Sequence, residues 1–114
     1  MIFKNRKRVE RRTSGVAVET LTQLIDVVRR VIELLEQCGR QENAHWMRER
    51  LRLLQVGDAS ETLACTKELH SIVLGMGGLI DISLEPRDPL SLSANDARAS
   101  MDELADRLYR LTSE

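Results

Sequence analysis

The sequence predicts an all-α protein, a four-helix bundle with a short Gly-rich extended segment between helices 3 and 4. Three observations carry this. Apolar residues recur at alternating steps of three and four through four stretches, the spacing that gathers them on one helical face. Gly39 and Gly57 separate the first three stretches with only short links, as between antiparallel helical neighbours. A fifth apolar run, near residues 80–84, has a period of two but only about six residues, too few for a sheet of its own. At 114 residues and 42% hydrophobic, the chain fits one domain with one core. Its only aromatic residues are Phe3, Trp46 and Tyr109, so that core must be aliphatic.

Residues 1–15 read as a basic arm and 16–114 as the helical domain. Lys4, Arg6, Lys7, Arg8, Arg11 and Arg12, opposed by Glu10 alone, give residues 4–12 a charge of +5 and leave −6 on residues 13–114. With almost nothing apolar to bury, residues 4–12 are expected to be disordered or a frayed helical extension. Thr13-Ser14-Gly15 breaks the run and can cap helix 1, expected from about Val16 to Cys38. Ala17, Leu21, Leu24, Val28, Val31, Leu35 and Cys38 form its stripe. Val18, Ile25 and Ile32 on one flank, and Val27 and Leu34 on the other, widen it to roughly 200°. Such a helix needs neighbours on more than one side, and is expected at the centre of the bundle. Gly39 stands where a C′ glycine belongs.

Helix 2 is expected over about Gln41 to Val56, with Ala44, Met47, Leu51 and Leu54 inward and Trp46 and Leu53 at the edge. Arg48, Arg50 and Arg52 are expected in solvent. Asp58 with Glu61 makes a capping box for helix 3, which continues to about Gly75 and buries Cys65, Leu69, Ile72, Val73 and Met76. Gly75-Met76-Gly77-Gly78 then ends the helical pattern. Ile80, Ile82 and Leu84 alternate with Asp81, Ser83 and Glu85, as in a strand. A lone strand has no ladder partner, so this run is expected to extend over the bundle or to pair between subunits in a homodimer. Pro86-Arg87-Asp88-Pro89 is a turn. Ser93 with Asp96 caps the last helix, Leu92 can staple onto Ala97, and Ala97, Met101, Leu104, Leu108 and Leu111 form its buried stripe.

No arrangement in the chain points to catalysis, a cofactor or a metal, and the protein is expected not to be an enzyme. Glu42-Asn43-Ala44-His45 is one Glu-x-x-His, whereas di-iron bundles use two with two further glutamates. His70 falls near the apolar face of helix 3 and reads as a core-edge histidine. The glycines follow a helix and precede an extended run, the reverse of a phosphate cradle. Helices 2 and 3 resemble a helix-turn-helix only in their glycine, because an acidic helix start faces phosphates poorly. Cys38 and Cys65 read as buried reduced thiols. No apolar run approaches the roughly 20 residues of a membrane span, and with charged and polar residues following the basic ones at the start, no signal peptide is expected. A cytoplasmic protein with no membrane association is expected.

With the glycine junction in view, residues 34–84 resemble a small bacterial family of unknown function. Its pattern is a helix ending Leu-x-x-x-Gly, a Trp-bearing helix, a Gly-Asp and a closing Gly-Gly-Met-Gly-Ser-Leu-Asn-Asp-Leu. The counterparts are Leu35 to Gly39, Trp46, Gly57-Asp58 and Gly75 to Ile82. Leu74 precedes a single glycine, Gly78 replaces the serine and Ile80 the asparagine, so the polar side chains a site would use are missing. The family brings no activity with it. Small acidic helical proteins of this sort are often toxin-neutralising partners, and that association fits the charge.

The expected function is therefore non-catalytic protein binding, most concretely an immunity protein docking on the basic surface of a toxin. Asp81, Glu85 and Asp88 are the expected contacts, with Glu61 and Glu68 next. The alternative is nucleic-acid association through Lys4, Arg6, Lys7, Arg8, Arg11 and Arg12.

Overall fold

A computed structural model describes residues 16–75 and 78–113. The arm and its six cations, the Thr13-Ser14-Gly15 cap and Met76 lie outside them. Four helices are present: α1 (Val18–Gln37), α2 (Gln41–Val56), α3 (Ala59–Leu74) and α4 (Ala94–Leu111). Each packs on two principal neighbours, so that α1, α2, α3 and α4 close a ring. The breadth of the α1 stripe is thus explained by contacts with both α2 and α4, but α1 is not alone at the centre. Val27, Val31, Leu34 and Leu35 are buried on it, while Val18 and Ala17 at its start are exposed.

The helix ends follow local chemistry. Asp58 accepts the Glu61 N–H and Glu61 reaches back to the Asp58 N–H, satisfying two orphan donors at the start of α3. Ser93 accepts the Asp96 N–H at the start of α4. No side chain caps α1, whose N-cap is Ala17, two residues inside the expected start. Gly39 has a φ of 72°, a conformation costly for residues with a Cβ, and it turns the chain from α1 into α2.

Leu24, Leu35, Met47, Leu54, Leu69, Met101 and Leu108 form the centre of the core, each almost wholly removed from water. Burial of one such side chain is worth about 1.5–3 kcal/mol. Ile72, expected in the core, is only half-buried at its edge. Arg50 departs from expectation. Its side chain is 17% exposed, lies over the Trp46 ring at 3.9 Å and pairs with Glu68 of α3. A guanidinium can cover an indole face and still reach a carboxylate.

The segment after α3 is where alternation misled. Among the described residues there is no strand. The chain folds back on the end of α3, with the Leu79 N–H donating to the Ile72 carbonyl at 3.0 Å. A turn follows, in which the Asp81 and Ile82 N–H groups both donate to the Gly78 carbonyl. This turn moves the inward phase, so that Leu79, Ile82 and Leu84 are buried and Ile80 is 47% exposed. Arginines replace the missing ladder. Arg98 of α4 donates to the carbonyls of Leu79 and Ile82, each at 2.8 Å, and Arg40 to that of Ser83 at 2.9 Å. The Arg87 N–H closes the run onto the Gln37 carbonyl. The carbonyls of Leu79, Ile82 and Ser83 are thereby engaged within the chain.

Candidate functional site

The link from the excursion to α4 crosses the C-terminal half of α1, and the crossing leaves a groove. Its walls are Glu33, Glu36 and Gln37 of α1 and Pro86, Arg87, Asp88, Ser91 and Leu92 of the link, around a volume of about 620 Å³. The local sequence builds the link wall. The Asp88 side chain accepts the Leu90 N–H at 3.2 Å, and its carbonyl accepts the Ser91 and Leu92 N–H groups, a tight turn after two proline-bounded positions. Leu92 packs against the core and anchors the wall to the start of α4. A shallower continuation runs along the α1–α4 seam past Arg30, Glu33, Leu34, Ser100, Glu103 and Leu104.

Three carboxylates against one cation give the groove a net negative rim. Glu36 is bound to Arg48 of α2 and Asp88 to the turn. Glu33 has no ion-pair partner among the described residues. Pro86 and Leu92 supply an apolar floor between them. Such a site suits the aliphatic stem and charged head of lysine or arginine.

The five expected contacts do not come together. Only Asp88 lines this groove. Glu85 lines a separate cleft with Cys38, Gly39, Arg40 and Ser83, and Asp81 is exposed on the turn after Gly78. Glu61 and Glu68 are on α3, across the ring from α1, and are engaged by the Asp58 N–H and by Arg50. Glu33 and Glu36 of α1 are lining residues not singled out above, as is Glu103 in the continuation along the seam. No sequence signal tied them to Asp88, because that pairing depends on the path of the link.

The remaining candidates have structural roles. His45 pairs with Glu49 at 3.4 Å, not with Glu42, and no cluster among the described residues could hold a metal. His70 stacks on Tyr109 at 4.4 Å and its Nδ1 lies 2.8 Å from the Thr112 hydroxyl. That hydroxyl also lies 2.8 Å from the Leu108 carbonyl, so the pair pins the end of α4 to α3. The partner of this core-edge histidine is a side chain that is itself tied to the backbone. Cys65 is buried with its thiol against the Arg50 carbonyl. Burial, then the Glu68 charge, pushes it up to about 11 despite Arg50. Burial likewise raises Cys38, opposed by Arg40. Neither thiol is an activated nucleophile. No helix among the described residues is long and apolar enough to cross a membrane. Comparison of the chain with models of known families, with curated proteins and with solved structures finds no match.

Proposed function

We propose that this protein is a non-catalytic binding module that docks a cationic protein segment in the groove between α1 and the Pro86–Leu92 link. Its most concrete form is an immunity protein that covers the basic surface of a bacterial toxin. The observation that carries the reading is the apolar floor rimmed by Glu33, Glu36 and Asp88. Carboxylates around such a floor steer a cationic partner and fix its register. Asp81 and Glu85, on the same excursion, are secondary contacts in this reading, while Glu61 and Glu68 serve α3. Free, buried Cys38 and Cys65 fit a reducing cytoplasmic setting.

The test pairs the protein with the toxin domain of any toxin gene found immediately beside its own. Glu33→Lys combined with Asp88→Asn removes the rim charge, and the amide oxygen introduced by Asp88→Asn can still accept the turn hydrogen bond. The complex should weaken about tenfold, two contacts of roughly 0.5–1 kcal/mol each, and lose part of its salt dependence. Unchanged affinity would remove the groove from the interface. The +5 charge of residues 4–12 supports a second reading, association with nucleic-acid phosphates. RNA or DNA retention that survives deletion of residues 1–12 would exclude it.

A further inference from the structure

The groove has a candidate occupant within the same chain. α1 exposes Glu19, Asp26 and Glu33 at seven-residue steps. Seven residues bring a helix back to within about 20° of the same direction, so these carboxylates form a nearly straight stripe. Successive members lie about 10 Å apart at the helical rise, and Glu33 delivers the stripe into the groove. We propose that residues 4–12 of this chain run back along the stripe and seat Arg6, Lys7 and Arg8 in the groove.

Charge and length both select this occupant. Residues 4–12 carry +5 against −6 on the rest of the chain. Arg6 and Lys7 are ten and nine residues from Val16, reaches of at most about 33–36 and about 30–32 Å, and Arg8 at about 26–29 Å adds its side chain. Glu33 stands about 23 Å along the helix from Val18, itself at most about 7 Å from Val16. Arg11 and Arg12 reach no further than about 18 Å, which sets them level with Glu19 and Asp26. Arg30 already holds Asp26 at 3.0 Å, and exposed Arg29 flanks the stripe. Glu33 and Asp88 are therefore the stronger end. Pro86 and Leu92 accept the aliphatic stems. The contact is solvent-exposed, so salt weakens it. An arm bound there would compete with any outside cation for the same carboxylates. That regulatory consequence rests on the binding role proposed above; the contact itself does not.

A nitroxide at Asn5→Cys, beside the seated residues and with Arg6, Lys7 and Arg8 kept, tests the contact in the full chain, since Cys38 and Cys65 are buried and resist the label. The amides of Glu33, Asp88 and Ser91 should lose intensity at low salt. The loss should persist on dilution and disappear at high salt or with Glu33→Lys plus Asp88→Asn. Intensity loss confined to the first turns of α1 would overturn the proposal. So would loss at the groove that appears only when labelled and isotope-enriched chains are mixed, because the occupant would then be a second copy. A positive result with no toxin binding leaves the arm contact and removes the immunity role. Toxin binding lost in the groove variant, with no paramagnetic effect at the groove, does the reverse.

Discussion

Arg98 shows how much of this molecule rests on one side chain. It bridges α4 to two carbonyls of the excursion and also pairs with Asp102 at 2.8 Å. Arg98→Ala should cost about 2 kcal/mol, the scale of losing hydrogen bonds to a charged donor. The urea midpoint would fall at unchanged slope. Arg98→Lys should recover only part, since an ammonium has no fork to span both acceptors; full recovery would contradict the clamp. Asp58→Ala removes the α3 cap and should cost about 1 kcal/mol, by the same measurement. Cys65 predicts a pH effect. Its folded value of about 11 lies above the ordinary 9.0, so above pH 9 the unfolded chain releases a proton that the folded chain keeps. Stability is then full below pH 9 and falls as pH rises through about 11. Cys65→Ala should flatten that decline in thermal melts at stepped pH.

At the scale of the element, the four helices were legible because periodicity, caps and breakers agree. Gln41–Val56 was expected with its observed ends, and Ser93 with Asp96 fixed the start of α4. The α1 start falls at Val18 rather than Val16, with Ala17 extended before it and offering no side-chain oxygen as a cap. The excursion was only half legible. Ile82 and Leu84 face inward as expected, but Ile80 does not, since period-two alternation assumes a ladder and Arg98 and Arg40 supply the pairing from a distance in sequence. The back-turn itself depends on Gly78, where an added Cβ would stand 2.1 Å from the Ile72 carbonyl oxygen. Gly78→Ala must therefore move the chain off α3. It should destabilise more than Gly39→Ala, whose cost is the roughly 1–2 kcal/mol of a left-handed conformation. Equal midpoints in urea would show that the turn yields easily.

For the molecule as a whole, the ring of helices and its aliphatic core follow from patterning, whereas the groove follows from a path that no local pattern specifies. Glu33 and Asp88 are 55 positions apart and meet only because Arg87 bonds the end of α1 and Leu92 anchors the start of α4. The acidic character of the body was visible in the sequence; the place where it becomes a site was not. The central claim is that this groove, rather than the carboxylates of α3, receives a cationic chain. Amide-shift mapping tests it most directly, on titrating an arginine-rich peptide into the full-length chain with Lys4, Arg6, Lys7, Arg8, Arg11 and Arg12 changed to Gln, so that its own arm cannot hold the groove against the peptide. Shifts should concentrate at Glu33, Gln37, Asp88 and Ser91 and fade with salt. Shifts that concentrate instead around Glu61 and Glu68, with the groove amides unmoved, would contradict it.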